Sequence, residues 1–246
     1  MVAALIGAVI TMFVGHASLF RLGEPLVSLS YDIPFTVHRA GSSDDIRIVY
    51  LDELDGDALD RKSQAQLLDR LGEAGAMAVI YDVIFDRASK DPAIEREFAE
   101  AIRRFRGVDA AGQPVPGRPQ RRVLLACGRE TFSMTGVTGE QLLPPTDVLL
   151  DAADDFGLVA WNDDILFIRE LATGTRDEPS LIWKAATQLG ADLSEDSRMD
   201  QRWVNYAGPP ADPGIRKTSG PFQSCSAESV LLNGTNPNFF RYKIVL

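Results

Sequence analysis

Cysteine and histidine are nearly missing from this sequence: two of each stand among 246 residues. That leaves no zinc finger, no disulfide-dense scaffold and no metal site built mainly on imidazole. It also leaves few candidates for an imidazole general base. His16 sits in an apolar run and His38 in a polar stretch, so neither is well placed for a Ser-His-Asp triad. A surplus of positive charge is missing too. Lys and Arg number 25 against 35 Asp and Glu, a net charge of −10, and no basic cluster stands out along the chain. Such a chain repels phosphate backbones, so no nucleic-acid partner is expected. No Gly-x-Gly-x-x-Gly or Gly-x-x-x-x-Gly-Lys-Ser/Thr run follows a strand-like segment, and no Gly-x-Ser-x-Gly elbow is present. Nucleotide cradling and esterase chemistry therefore lack their usual carriers, and no cofactor is expected.

What is present begins with an uncharged run. Val2 to Phe20 carries no charged residue, and Arg21 follows at once. A helix of roughly 19 residues rises about 28 Å, close to the thickness of a bilayer core. A membrane-anchoring helix within residues 1–22 fits that length best. A cleaved signal peptide competes, because Gly15-His16-Ala17 resembles a small-x-small site, although no Lys or Arg precedes the run. A buried core helix is the third reading. The first two place residues 23–246 outside the cytoplasm. The missing positive flank, and an end at Lys243-Ile244-Val245-Leu246 inside a strand-like run, give the expectation that the native chain extends both ways.

Hydrophobic residues make up 45% of the chain and charged ones 24%, a balance that folds. Ile46 to Leu51 is a β-branched apolar run ending at Asp52. Leu59 to Ala74 has helical spacing and stops at Gly75. Met77 to Phe85 is a second apolar run, interrupted by Asp82 and followed by Asp86. Asp91-Pro92 opens a helix whose apolar stripe is Ile94, Phe98, Ala101, Ile102 and Phe105. Val123 to Cys127 is a third strand, reached through a Gly- and Pro-rich surface loop from Gly107 to Gln120. This alternation predicts an α/β fold with a mostly parallel central sheet flanked by helices. The strands ending at Asp52 and Asp82 are expected to be adjacent and central. Gly157–Trp161 and Ile165–Leu171 around Asn162-Asp163-Asp164 read as a β-hairpin. Glu178-Pro179-Ser180 opens a helix through Leu189, and Trp203–Tyr206 and Tyr242–Leu246 are further strands. Cys127 and Cys225 allow either buried thiols or an extracytoplasmic disulfide.

Parallel sheets place ligands at the carboxyl ends of their strands. Asp52 and Asp82 lie at two such ends, and Arg61 opens the intervening helix. A polar pocket built on Asp52, Arg61 and Asp82, with Asp86, Arg169 and Asn205 nearby, would suit a small polar ligand or a hard cation. The opposing reading makes the aspartates helix caps and Arg61 a structural ion-pair partner. Phosphatase-type chemistry needs Asp-x-Asp after the strand, whereas Asp52 is followed by Glu53-Leu54-Asp55. An anchored or secreted metal-dependent hydrolase using Asp52 and Asp82 remains as the enzymatic alternative.

In order along the chain, several segments resemble one known family. They are Leu29 to Phe35 with its Tyr31-Asp32, Ile48 to Glu53, Arg61 with Ala65 to Leu71, Gly75 to Phe85, Gly157 to Arg169 with Pro179-Ser180-Leu181, and Trp203 to Pro209. Together they are similar to the CHASE type-two domain, the second type of cyclase- and histidine-kinase-associated sensory extracellular domain. The family's Trp-Pro element before the helix arginine is replaced here by Asp57-Ala58-Leu59-Asp60. The resemblance implies a non-enzymatic, extracytoplasmic sensory domain of a bacterial transmembrane receptor. It would bind a small molecule, pair as a homodimer through the receptor, and drive a cytoplasmic kinase or cyclase. A structural module that only mediates receptor dimerisation is a further alternative.

Overall fold

The computed structural model describes residues 43–51, 60–134, 137–159, 173–194, 222–232 and 234–246. The two segments with the strongest periodicity become helices with side-chain caps. Helix α1 is Arg61–Glu73 and follows β1, Ile46–Tyr50. The Asp60 carboxylate accepts from Ser63 N at 2.7 Å and opens α1, which buries Leu67, Leu68 and Leu71. Strand β2, Ala78–Ile84, leads to α2, Pro92–Arg106. Asp91 caps α2 by accepting from Ala93 N at 2.8 Å, and Pro92 takes the first turn, where its missing N–H costs nothing. The chain leaves α2 through Gly107 at φ +75, a left-handed conformation that favours glycine.

The remaining strands are β3 (Arg122–Met134), β4 (Val137–Leu143), β5 (Asp155–Leu158), β6 (Gln223–Ser226) and β7 (Ile244–Val245). Three shorter helices are α3 (Asp147–Leu150), α4 (Leu181–Gln188) and α5 (Ala227–Leu231). The strands form one sheet in the order β4-β3-β2-β7-β1-β6, with β5 also beside β3. Every described pairing is parallel except β3 with β4. The α/β architecture and the mostly parallel sheet are as the sequence predicts. The larger core layer lies between the sheet and α1, α2, α3 and α5, around Leu68, Phe98, Ile102, Val123 and Phe240. A smaller one forms on the other face under α4, around Ile80, Leu124 and Leu181.

Two expectations are corrected. First, β1 and β2 are parallel but not neighbours, because β7 pairs with both. A two-residue strand has too little pattern to be placed from sequence. Its insertion sets β1 and β2 two spacings apart, about 9.6 Å instead of about 4.8 Å. Second, β3 runs on past Cys127 into a hairpin with β4, with Phe132 opposite Gly139. Gly157 and Leu158 pair parallel with Ala126 and Cys127, and the turn and second strand of the hairpin expected around Asn162-Asp163-Asp164 lie outside the described residues. The strand begun at Val123 therefore outruns its expected end at Cys127, leaving the parallel sheet to continue as one arm of that ribbon. Of the two readings open for Cys127 and Cys225, the structure has the free thiols. They sit on β3 and β6, four spacings or about 19 Å apart, well beyond disulfide reach. Burial raises both thiol pKa values. The expected span at residues 2–20 falls outside the described residues, among which no helix is long and apolar enough to cross a membrane.

Candidate functional site

The carboxyl end of β2 opens onto a cleft of about 420 Å³. That volume suits a small molecule. Its walls are the first turn of α1 with Asp60, Arg61 and Gln64, the last residues of β2, the loop Asp86–Lys90, and Ile94 from α2.

Alternation along β2 decides what reaches this cleft. Tyr81, Val83 and Phe85 pack toward α1 and α2. Under them Tyr81, Phe85 and Phe98 form an aromatic triangle with centroids 5.4–5.7 Å apart. The Arg61 guanidinium lies over the Phe85 ring, 5.6 Å from its centroid. Asp82, between Tyr81 and Val83, leaves the strand on the opposite face and is exposed. The register of β2 against β3 shifts between Tyr81 and Ile84, so Asp82 also sits on a bulge. It does not line the cleft that Arg61 and Asp86 share. Asp52, Arg169 and Asn205 lie outside the described residues.

Arg61 is held by a residue that sequence reasoning passed over. Its Nε lies 3.0 Å from Glu95 Oε2, and the two side chains are only 16% and 5% exposed. Glu95 Oε2 also accepts from Ser89 N at 3.0 Å, while Oε1 accepts from Thr146 Oγ1 at 2.5 Å. Arg61 Nη2 donates to the Arg87 carbonyl. The pair thus holds the loop at both Arg87 and Ser89, and this loop is one wall of the cleft. Arg61 takes the role of a structural ion-pair partner, and the helix caps are Asp60 and Asp91 rather than the strand-end aspartates. The other cleft carboxylate, Asp86, is partly exposed, with Arg87 Nε 3.6 Å away.

Glu95 did carry a signal. It occupies position i of a buried stripe continued by Phe98, Ala99 and Ile102. Gln64 does the same on α1, ahead of Leu67, Leu68 and Leu71. A polar residue on the buried stripe of a helix is the informative exception to apolar burial. Two such exceptions, both in the first turns of helices at one sheet edge, mark the same spot.

A second buried carboxylate lies at the opposite, amino end of the sheet. Asp154, 4% exposed, accepts from Val123 N at 2.8 Å and from Arg122 Nη1 at 2.8 Å. It also pairs with Arg106 Nε at 2.9 Å. The described residues contain no group of three His, Cys, Asp or Glu side chains placed to hold a metal ion.

The CHASE2 domain family matches residues 4–246, from inside the apolar run to the last residue. The chain belongs to that family. CHASE2 is a family of sensory extracellular domains, which agrees with a sensing role and an extracytoplasmic location. Neither the curated proteins nor the solved structures yielded a match.

Proposed function

We propose that this CHASE2 domain is the ligand-sensing part of a bacterial transmembrane receptor. Residues 2–20 anchor it, and its signal passes to a cytoplasmic kinase or cyclase. Membership of a sensory family carries the reading. The cleft at the end of β2 supplies the place, since parallel sheets bind ligands outside the carboxyl ends of their strands. Arg61 and Asp86 line it, and Asp52, Arg169 and Asn205 are the further candidates for contact with a small polar ligand. Ligand that favours one position of the Asp86–Lys90 wall shifts a two-state equilibrium by its differential affinity, typically about 1–3 kcal/mol. The sensor works without catalysis and pairs as a homodimer within the receptor. The hydrolase alternative at Asp52 and Asp82 gains no support from Asp82, which lies on the face away from Arg61.

Thermal melts of the membrane-reconstituted chain against amino acids, small carboxylates and sugars test the cleft. At least one compound is expected to raise Tm, and the rise should vanish in Ala88→Trp, which fills the cleft from its rim. A panel without any rise, or a rise indifferent to Ala88→Trp, removes the cleft as the sensing site.

A further inference from the structure

The sequence shows no basic cluster, but the fold assembles one at the amino end of the sheet. The C-terminal turns of α1 and α2 meet there, and most arginines at that end have a carboxylate. Arg104 pairs with Asp69, Arg103 with Glu100 and Arg70 with Glu73. Arg106 and Arg122 share Asp154. The Asp109 carboxylate accepts from Ala111 N and Gln113 N within its own loop. Next to β1, Asp44 takes Arg47 and Lys243, and Asp45 lies 4.0 Å from Lys243.

Arg118, Arg121 and Arg241 are left without a carboxylate among the described residues. Their neighbours place all three beside the C-terminal ends of α1 and α2. Arg121 stacks 5.2 Å over Phe105 and reaches within 3.2 Å of where a Gly72 side chain would begin. Arg241 packs at Gly75, three residues on, and Arg118 packs at Gly107, the end of α2. Burial lowers the Arg121 pKa with no acid to offset it. Two exposed apolar side chains flank the cluster. Tyr242 is 70% exposed and held at φ +60, its N–H bonded to the Gly75 carbonyl. Met77, also exposed, donates its N–H to the Lys243 carbonyl. A bulky residue in the left-handed region is strained, so the fold holds this ring outward against a local cost.

We propose that the amino end of the sheet docks on the anionic headgroup layer of a phospholipid bilayer, through Arg118, Arg121 and Arg241 with Tyr242 at the interface. Unpaired arginines beside an exposed tyrosine match the phosphate and interfacial zones of a membrane. Free phosphate or a nucleic-acid backbone would use the charges but give no role to Tyr242 and Met77. The chain also enters β1 at this end, and the run of residues 2–20 precedes that entry in sequence as its tether. The inference rests on the anchored reading only for that tether. Each basic residue near an anionic surface multiplies binding by roughly fivefold.

The full chain in nanodiscs of phosphatidylcholine, alone or mixed with phosphatidylglycerol, tests this by hydrogen exchange. Exchange in the loop 107–120 and the turn 240–243 should be at least tenfold slower in the anionic discs. High salt and R118Q/R241Q should reverse it, while the loop 86–90 at the far end exchanges alike in both. Tyr242→Asn, which suits the left-handed backbone, should weaken the protection should the double variant melt early. Equal exchange in the two discs overturns the proposal. So does equal protection in both with a dimer mass, which assigns the face to a second copy. Carbonate washing decides the anchor separately. If it strips the chain, the anchored reading fails, and flotation with phosphatidylglycerol vesicles then decides the patch, absence of flotation overturning it.

Discussion

Glu95 and Asp154 are two buried carboxylates beside arginines, one at each end of the same sheet. Asp154 is enclosed by rigid elements. It accepts from Val123 N, the second residue of the central strand β3, and pairs with two arginines, and Arg106 reaches on to the Ala152 carbonyl. Glu95 has one arginine, one hydroxyl and one backbone N–H, and that N–H belongs to the loop Asp86–Lys90. The chemistry is nearly the same, and the mechanical consequence differs. A carboxylate tied to a strand and a helix end fixes the sheet. A carboxylate tied to a cleft wall sets where that wall rests, and a ligand competing for Arg61 or Arg87 acts on it directly.

The largest effect expected from this contrast is at the amino end. Asp154→Ala leaves Arg106 buried without its partner and removes the acceptor for Val123 N. Breaking a buried pair from one side costs about 3–5 kcal/mol, read as a lower midpoint in urea. A loss below about 1 kcal/mol would mean that water reaches this site and that the two ends do not differ as argued. Glu95→Gln keeps the shape but gives up the charge facing Arg61, for a smaller loss of about 1–3 kcal/mol. Its distinguishing readout is local: amide exchange of residues 86–90 should speed up in Glu95→Gln and stay unchanged in Asp154→Asn. Equal exchange in both variants would erase the distinction between strut and wall support.

The order of these effects also shows what the sequence could reveal. The apolar runs at Ile46 and Met77, the Asp91-Pro92 start and the Gly75 and Gly107 stops each have a local physical cause, and each is found where the pattern places it. β7 falls inside Tyr242–Leu246, which reads as a strand; what its own residues do not carry is its place between β1 and β2. Charged residues mislead in a similar way. Arg61 is legible as a key cation, but its sequence position points to strand-end carboxylates, whereas its partner is Glu95, 34 positions on and brought near by the packing of α1 against α2. Asp82 has the expected sequence position but is exposed and does not line the cleft that holds Arg61. The arginine cluster is invisible in the chain because its members, residues 118, 121 and 241, share one end of the sheet only by packing at Gly107, Gly72 and Gly75.

The smallest effect sharpens the comparison from below, at a polar group held by neither network. The Tyr81 hydroxyl is buried under the cleft with no hydrogen-bond partner among the described residues. Burial, reinforced by the Asp69 charge, pushes its pKa well above the ordinary 10.0. The sign follows from linkage. Above about pH 10 the unfolded chain releases this proton while the folded one keeps it, so the unfolded state binds fewer protons and stability falls as pH rises. The contribution is whole below that pH and is lost toward the raised folded value, at up to about 1.4 kcal/mol per pH unit. Cys127 and Cys225, also raised by burial, act with the same sign from a lower pH. Tyr81→Phe keeps the packing with Phe85 and Phe98, removes an unsatisfied hydroxyl, and should raise stability by about 1 kcal/mol near neutral pH. It should also flatten the loss above pH 10 relative to the parent, leaving the thiol part in place. If Tyr81→Phe instead destabilises the chain near neutrality by a similar amount, the hydroxyl has a partner, and the floor of the cleft is a third polar anchor beside Glu95.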